Sequence, residues 1–453
     1  MADNRDKRID SQYYRQAALD ADAMIGRHSP EPVSEIASDV RSFGAYALTN
    51  EFEYQDEGIP FLRGTNYAGD FINFSDVLRI SDAANALLHK SEVLPGMVLL
   101  SMSGSVGSAA VALDSWNYPI NSNQDIAKII PVQVSPFYLA AYLSCEFGQV
   151  QIERLPVGSV QQHIFLWMIE RLKVPRFSEV FEGRVASLSE RSYRRHETVA
   201  EFFGLAEAAL LRSMGLQGWV PPEPLTYTAR AKDAFSAGRI DARFFTPRVQ
   251  ALLDLLSVDG RTVRDVADHR REKFRSDNCA HFNYIEIGGL DGAGAATSTH
   301  LACSEAPSRA TWHVRPDDII TSTVRPIRRL SAQIAPEQDG YVCSSGFVVV
   351  QPKDIAPEVL LTYLRLPVIC ELLDLYASAS MYPAITDADI FNLPLPNISD
   401  EVAEEVTRNV QEAKAAKASA ANMLDAAKRA VEIAIEDGEP AAMAFLDKAV
   451  EAI

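Results

Sequence analysis

Two loops carry the side chains best suited to chemistry, and each loop follows a short apolar run. In the first half of the chain, residues 98–100 lead into a loop of serines and glycines: Ser101, Ser103, Gly104, Ser105, Gly107 and Ser108. In the second half, residues 319–320 lead into a loop richer in donors: Thr321, Ser322, Thr323, Arg325, Arg328 and Arg329. An arginine can bridge guanine O6 and N7, whereas a serine cannot. The two loops therefore indicate recognition of a polar partner such as DNA, with different chemistry in each half.

Each half contains other polar side chains in segments that we expect to lie near these loops. We take these side chains as candidate DNA contacts. In the first half they are Arg63, Asn66, Asn121, Asn123, Gln124, Gln161 and Gln162. In the second half they are Ser344, Ser345 and Tyr382. Sequence readout needs donors and acceptors presented to base edges, with cations nearby for phosphates. The residue types differ at equivalent places, as two similar but not identical targets would require.

The chain shows no pattern of a catalytic or metal site. Residues 103–107 resemble a phosphate-cradling loop but lack the lysine and the following Ser or Thr. Asp10 and Asp241 recur in the two halves without a recurring His or Ser partner, so we interpret them as salt-bridge partners of neighbouring arginines. The histidines have no metal-ligand spacing. We expect no enzyme activity, no metal and no directly bound cofactor.

The chain repeats itself. Residues 8–14, which read Arg-Ile-Asp-Ser-Gln-Tyr-Tyr, return at 239–245 as Arg-Ile-Asp-Ala-Arg-Phe-Phe. If residue 93 is laid on residue 314 and the register is held without a gap to 178 on 399, four prolines coincide: Pro95/Pro316, Pro131/Pro352, Pro136/Pro357 and Pro175/Pro396. Because proline is confined to turns, edges and element ends, these matches predict the same loop plan in two similar domains.

Each half continues with short apolar runs typical of strands and then a helix opened by Pro136 or Pro357. A serine followed by acids, Ser178 or Ser399, then predicts the start of a long helix with an apolar seam. We expect an α+β protein with two β-rich domains, joined and separated by two long antiparallel coiled-coil helices, with a pseudo-twofold internal repeat. The expected boundaries are a first β-rich domain at 1–176, a helix at 177–216, a connector at 217–238, a second β-rich domain at 239–398, and a second helix with a C-terminal tail at 399–453.

Composition limits the partners and the cellular location that we expect for the protein. The formal net charge of -18 counts against indiscriminate DNA binding, because phosphate contacts need local Lys and Arg. Basic residues nevertheless cluster at 191–195, 264–275 and 325–329, away from the acidic C-terminal stretch. The chain lacks a signal stretch and a membrane-spanning run, which favours a cytoplasmic location. The 5 cysteines include no Cys-x-x-Cys pair, so we expect reduced, mostly buried thiols.

Taken together, these motifs resemble the DNA-specificity (S) subunit of type I restriction-modification enzymes, the HsdS family. The resemblance covers essentially the whole chain. It rests on the Arg-Ile-Asp segments with two following aromatics, on residues 95–107 and their counterpart 316–328, on 343–347, on 158–164, and on the helix that follows each half.

The resemblance implies that each target-recognition domain reads one half of a split DNA sequence. It also implies that the helices set the gap between the halves and hold two methyltransferase subunits, which use S-adenosylmethionine. Restriction or translocase subunits would complete such a complex, and the S subunit itself performs no chemistry. Two alternatives stay open: a similar subunit of another methyltransferase-based phage-defence system, and an acidic scaffold or DNA mimic that has lost DNA binding.

Overall fold

The computed structural model describes residue 11 and residues 13–42, 52–157, 162–377 and 383–452. The chain divides into two compact units. Unit 1 comprises Met1–Glu197 and Ala416–Ile453, and unit 2 comprises Thr198–Ala415. Each unit contains two four-stranded sheets together with helices, so the predicted α+β class is confirmed.

Unit 1 is built from short helices and strands. Its helices are α1 (Gln16–Ile25), α2 (Val33–Ile36), α3 (Asp82–Leu87), α4 (Pro136–Ser144), α5 (Glu146–Glu153), α6 (Leu166–Ile169) and the first part of α7 (Glu179–Ser213). Its strands are β1 (Glu31–Pro32), β2 (Ala37–Arg41), β3 (Ile59–Leu62), β4 (Tyr67–Ala68), β5 (Phe71–Ile72), β6 (Leu78–Ile80), β7 (Glu92–Val93), β8 (Val98–Ser101), β9 (Ala109–Val111), β10 (Ile120–Ser122), β11 (Ile126–Pro131) and β12 (Lys173–Val174).

The two larger sheets of unit 1 have the strand orders β2-β11-β8-β9 and β6-β3-β10-β7. Strands β3 and β10 are parallel, and the other neighbours are antiparallel. Helix α4 packs against β8 and β9. It starts at Pro136, where the missing N–H is not needed, and Ser135 caps it by accepting a hydrogen bond from the backbone N–H of Phe137.

Unit 2 has the same kinds of elements. Its helices are the end of α7 and then α8 (Ala231–Ala237), α9 (Pro247–Leu256), α10 (Pro357–Arg365), α11 (Pro367–Tyr376), α12 (Asp387–Phe391) and the first part of α13 (Asp400–Glu436). Its strands are β13 (Ala267–His269), β14 (His281–Ile285), β15 (Thr299–Ala302), β16 (Ala310–His313), β17 (Ile319–Ser322), β18 (Ser331–Gln333), β19 (Val342–Ser344) and β20 (Phe347–Pro352). They form sheets of order β13-β20-β17-β18 and β15-β14-β19-β16.

Unit 2 repeats the two four-stranded sheets of unit 1, strand for strand, which confirms the predicted internal repeat. The register that places 93 on 314 also places β8 on β17, β11 on β20, and α4 on α10. The parallel pair β3 and β10 recurs as β14 and β19. Even side-chain bonds recur, because the hydroxyl of Tyr142 donates to the carbonyl of Lys173 and that of Tyr363 donates to the carbonyl of Pro394.

The predicted gapless register is wrong over one stretch. In unit 1 the N–H of Ser101 donates to the carbonyl of Ser108, whereas in unit 2 the N–H of Ser322 donates to that of Leu330. The β17–β18 hairpin is therefore one residue longer than the β8–β9 hairpin. The connection from β19 to β20 is one residue shorter than that from β10 to β11, which restores the register.

The long helices are α7, of 35 residues, and α13, of 37 residues. Within unit 1 the two run antiparallel, since Ser178 binds Glu439 just beyond α13 while the hydroxyl of Ser192 donates to the carbonyl of Ala420 at 2.6 Å. Helix α14 (Glu439–Ala452) follows α13. The predicted apolar seams are buried at Phe181, Val185, Leu188, Val199, Ala206, Ala209, Val406, Val410, Ala413, Ala420, Leu424, Ala427, Val431 and Ala434. Phe202 and Val402 are only half-buried. No helix among the described residues is long and apolar enough to cross a lipid bilayer.

Helices stand in two places where sequence patterns indicated other structure. Helices α1 and α9 follow the repeated segments, where we expected a β-rich stretch at once. For α9 the signal was present but overlooked: Pro247 occupies the first turn, and Thr246 accepts a hydrogen bond from the N–H of Val249. Helix α8 lies inside the predicted connector and is followed by Gly238, which has a φ of 64°. Glycine adopts this left-handed conformation easily because it has no Cβ.

The prediction of five reduced cysteines is wrong for one pair. Cys279 and Cys303 form a disulfide, with their Cα atoms 6.1 Å apart. The antiparallel pairing of β14 with β15 brings together the residues just before one strand and just after the other, which the sequence separation of 24 conceals. Cys145, Cys343 and Cys370 are buried free thiols, as expected.

Candidate nucleic-acid interface

Four loops of unit 1 meet at one edge of its sheets. The β8–β9 hairpin contacts the turn before β11, because the N–H of Met102 donates to the carbonyl of Asp125 at 2.7 Å. The segment after β3 lies alongside, since the N–H of Asn123 donates to the carbonyl of Leu62. Ser103 also forms a bridge with His163. We call residues 63–66, 102–108, 123–125 and 162–165 the first loop edge. It collects every described candidate contact of unit 1 except Ser101, which ends β8, and Asn121, which lies within β10.

Unit 2 assembles the equivalent edge from equivalent segments. Thr323 donates through its N–H and its hydroxyl to the carbonyl of Gly346, joining the β17–β18 hairpin to the β19–β20 turn. Val324 forms a bridge with Ala384, as Ser103 does with His163. We call residues 286–289, 323–330, 345–346 and 383–386 the second loop edge.

Seven of the candidate contacts are buried, and the structure gives most of them a role in the frame: Asn66, Ser101, Ser103, Asn121, Thr321, Ser322 and Ser344. Ser101 and Ser322 are equivalent and do the same thing. The hydroxyl of Ser101 donates to the carbonyl of Ser103 at 2.9 Å, and that of Ser322 donates to the carbonyl of Val324 at 3.1 Å. These serines fix the start of each hairpin, so we do not retain them as base contacts.

The buried amides hold the loops in the same way. The side chain of Asn66 accepts a hydrogen bond from the N–H of Arg63 and donates to the carbonyl of Asn73. Asn121 donates to Asn85 and to the carbonyl of Leu88. Ser344 accepts a hydrogen bond from the N–H of Gly346. Sequence patterns could not separate such internal polar groups from exposed ones, because their burial depends on strands that are distant in the chain.

The candidate contacts that reach solvent differ between the two edges. At the first loop edge Ser105 and Gln162 are exposed, and Arg63, Ser108, Asn123 and Gln124 are half-buried. At the second loop edge Arg325, Arg328 and Ser345 are exposed, and Thr323 is half-buried. Neither Arg325 nor Arg328 forms an ion pair within the described residues. Gln161 and Tyr382 lie outside the described residues.

Arg329 is engaged inside the protein. Its guanidinium forms an ion pair with Glu207 and donates to the carbonyl of Arg365 at 2.6 Å. Arg365, itself buried, donates in return to the carbonyl of Arg329. This pairing shapes the end of the hairpin, where Arg329 has a φ of 59°. The cations that the second loop edge presents are therefore Arg325 and Arg328.

In the other basic clusters, three arginines form ion pairs with nearby acids: Arg194, Arg270 and Arg271. Arg194 contacts Asp114 at 2.5 Å and lies within 4 Å of Glu190 and Glu197, and its guanidinium keeps the pKa of the Asp114 carboxyl below its usual range. Arg270 binds Asp318 at 2.6 Å, and Arg271 binds Asp387. Burial raises the pKa of Asp318 despite Arg270 beside it. The main contacts of these three arginines are therefore within the fold.

Sequence reasoning missed two features beside the first loop edge. Phe165 and Trp167 are large apolar side chains that remain well exposed. Lys128 is fully buried in β11, where its ammonium group donates to the hydroxyl of Ser122 at 2.6 Å. The sequence signals the aromatic pair only through a difference between the two halves, since Thr386 and Ala388 stand at the equivalent places in the second half.

Three solved structures resemble the chain. All come from type I restriction-modification systems. One is the S subunit from M. genitalium, with 13% identity, 93% of this chain and 95% of that chain covered, and a TM-score of 0.35. Another is the HsdS subunit from Thermoanaerobacter tengcongensis, with 14% identity, 93% of this chain and 95% of that chain covered, and a TM-score of 0.28. The third concerns complex assembly and conformational transition of the type I R-M system, with 15% identity, 93% of this chain and 96% of that chain covered, and a TM-score of 0.28. No protein-family model and no curated protein matches the chain.

Proposed function

We propose that the chain is the non-catalytic DNA sequence-recognition subunit of a type I restriction-modification complex. In this proposal unit 1 and unit 2 each read one half of a bipartite, asymmetric target. The observation that carries the proposal is the duplicated frame with divergent loop edges. The backbone of the two units is repeated down to individual hydrogen bonds, while the exposed side chains at the two edges differ.

A duplicated frame suits a split target because each half needs the same docking geometry and a different base code. Bases are distinguished by hydrogen bonds and apolar contacts at their edges, whereas phosphates only position the protein. Arg325 and Arg328 would suit guanine, and Ser105 with Gln162 would suit bases that are read by single hydrogen bonds. An unequal pair of edges leads us to expect an asymmetric target.

The long helices would supply the other half of the function. At about 1.5 Å per residue, the 35 residues of α7 give a helix of about 50 Å. We propose that α7 and α13 set the gap between the half-sites and bind two methyltransferase subunits, which use S-adenosylmethionine. Removing one turn from α7 should change the tolerated gap, and an unchanged gap would refute the spacer role.

Exchange of a loop edge tests the reading role. Replacing residues 102–110 or 323–331 with the loop of another specificity should change the methylated sequence while assembly with the methyltransferase survives. An unchanged methylation pattern would show that the bases are read elsewhere. Buried Ser101 and Ser322 lie outside both exchanged segments, so the start of each hairpin is preserved.

Two other functions compete with this one. The same reading mechanism could serve a methyltransferase-based phage-defence system without a nuclease, and co-purification with or without restriction or translocase subunits separates the two. The net charge of -18 favours the second rival, an acidic scaffold or DNA mimic. Retention of the assembled complex on duplex DNA should fall steeply with salt if phosphates are contacted, and retention that ignores salt would favour the rival.

A further inference from the structure

An exposed aromatic pair lies beside the first loop edge. Phe165 is 44% exposed and Trp167 is 38% exposed, although both are large apolar side chains. The backbone that carries them is firmly held. Ile164, Met168 and Ile169 are buried, and the N–H of Ile164 donates to the carbonyl of Met102 in the β8–β9 hairpin at 3.0 Å. The two rings are therefore displayed by an anchored segment.

The fold does not require aromatic residues at these positions. In unit 2 the same backbone carries Thr386 and Ala388, between Ile385 and Ile390, which are buried like Ile164 and Ile169. Thr386 caps α12 by accepting a hydrogen bond from the N–H of Asp389. Phe165, at the N-cap of α6, offers no such bond. Unit 1 thus gives up a helix cap and exposes apolar surface where the repeat needs neither.

Neighbouring side chains hold the rings in place and add positive charge. The guanidinium of Arg171 lies over the ring of Trp167 at 4.7 Å, a cation–π contact. His163 packs edge-on against Phe165, with ring centroids 5.1 Å apart. An anchored and exposed apolar patch fits a ligand that presents apolar groups.

The hairpin next to this patch cannot read guanine as the second loop edge can. Residues 102–108 consist of Met, Ser, Gly and Val, whereas the equivalent hairpin presents Arg325 and Arg328. In the major groove of DNA the apolar feature that distinguishes one base is the C5-methyl group of thymine, which apolar side chains contact. The β8–β9 hairpin and the adjoining aromatic pair therefore have chemistry suited to thymine, whereas the β17–β18 hairpin has chemistry suited to guanine through Arg325 and Arg328.

We propose that Phe165 and Trp167 contact thymine C5-methyl groups in the half-site read by unit 1. This inference rests on the proposed function and names the bases that the first loop edge selects. It predicts at least one A·T pair in that half-site. Each buried methyl group should strengthen binding about fourfold.

Uracil-substituted DNA tests the contact directly, because uracil keeps the pairing edge of thymine and lacks only the methyl group. Binding of the complex of the full chain with its methyltransferase subunits would be measured on target duplexes with thymine or uracil in each half-site. Wild type should lose about fourfold for each methyl removed from the half-site read by unit 1. Phe165→Ala and Trp167→Ala should bind the thymine duplex more weakly and no longer distinguish uracil there, while the other half-site is read as before.

Val132→Ala is the matched control, since Val132 is 63% exposed just beyond the end of β11 that lies away from the hairpin. It should leave the thymine preference intact. A half-site without thymine, or Phe165→Ala and Trp167→Ala proteins that keep full sensitivity to uracil, would overturn the inference while leaving the proposed function standing. Loss of methyltransferase binding in these variants, with thymine sensitivity retained, would instead identify the patch as a protein-binding surface. A complex that shows no sequence preference at all would refute the proposed function itself.

Discussion

Unit 1 buries a lysine at the place where unit 2 has a valine. Lys128 on β11 pairs with Leu99 on the neighbouring strand β8, and in unit 2 Val349 on β20 pairs with the equivalent Ile320 on β17. The ammonium group of Lys128 donates to the hydroxyl of Ser122 and to the carbonyl of Ser91 at 3.3 Å. Unit 1 therefore surrounds this cation with neutral acceptors.

Unit 2 places its buried charge elsewhere. Asp318 stands where unit 1 has Met97, and Arg270 binds it at 2.6 Å. Both Asp318 and Met97 are buried. The comparison shows that the repeated backbone tolerates different buried polar groups, provided that each finds local partners, just as it tolerates different loop edges.

Arg270→Met should destabilise the protein most. It leaves the carboxylate of Asp318 buried without its cation, at a cost of about 3–5 kcal/mol in the free energy of unfolding. Adding Asp318→Met, which copies Met97 of unit 1, should recover much of this loss. Urea unfolding measures both, with Arg271→Met as the control because the Arg271 side chain is 62% exposed. Equal effects of Arg270→Met and Arg271→Met would contradict the role given to the buried pair.

Lys128→Met should remove a dependence of stability on pH. Burial lowers the pKa of Lys128 from 10.5 to about 7, with a smaller contribution from Arg41. Between these values the unfolded chain binds more protons than the folded chain, so stability rises with pH by up to roughly 1.4 kcal/mol per unit. Below about pH 7 the lysine is charged in both states and its contribution is flat. The measurement is the difference in unfolding free energy between wild type and variant at pH 7, 8 and 9, which should change by about 2 kcal/mol over the range because Lys128 is already half titrated at pH 7. Parallel profiles would show that Lys128 stays charged in the fold.

Arg325→Ala and Arg328→Ala should each weaken binding to the target by about 1–3 kcal/mol if they read guanine. The loss should be confined to the half-site of unit 2. Replacing guanine with 7-deazaguanine there, which lacks the N7 acceptor, should weaken wild type and not the variants. Arg230→Ala removes an exposed arginine from the start of α8 and serves as the charge control. A loss spread evenly over all sequences would mean that these arginines bind phosphates only.

Ser101→Ala and Ser322→Ala should have the smallest effects, with the larger loss at Ser322, whose hydroxyl also accepts a hydrogen bond from the N–H of Val324 at 3.2 Å. Each removes one equivalent buried hydroxyl and leaves a hairpin carbonyl without its donor, which costs about 1 kcal/mol of stability. Ser105→Ala, at an exposed position of the same hairpin as Ser101, should leave thermal unfolding unchanged. A larger loss for Ser101→Ala than for Ser322→Ala would contradict the contacts given to the two hydroxyls.

Sequence patterns were sufficient where the signal is local. The coincident prolines predicted the repeat, Pro136 and Pro357 predicted helix starts, and the apolar seams predicted α7 and α13. They failed where a property depends on distant strands. The Cys279–Cys303 disulfide, the burial of Ser101 and the pairing of Arg329 with Glu207 all arise from contacts between segments far apart in the chain. The candidate contacts were thus predicted for loops that the fold brings together, but sequence alone could not divide them into buried frame residues and exposed surface residues.

Methylome sequencing tests the central claim most directly, in cells carrying the methyltransferase with wild-type chain, with the Arg325→Ala/Arg328→Ala chain, or with no chain. We expect chain-dependent methylation of a bipartite, asymmetric sequence with a fixed gap, and relaxed specificity in one half only for the arginine variant. Methylation at a continuous site, methylation that does not depend on the chain, or equal relaxation of both halves would contradict the central claim.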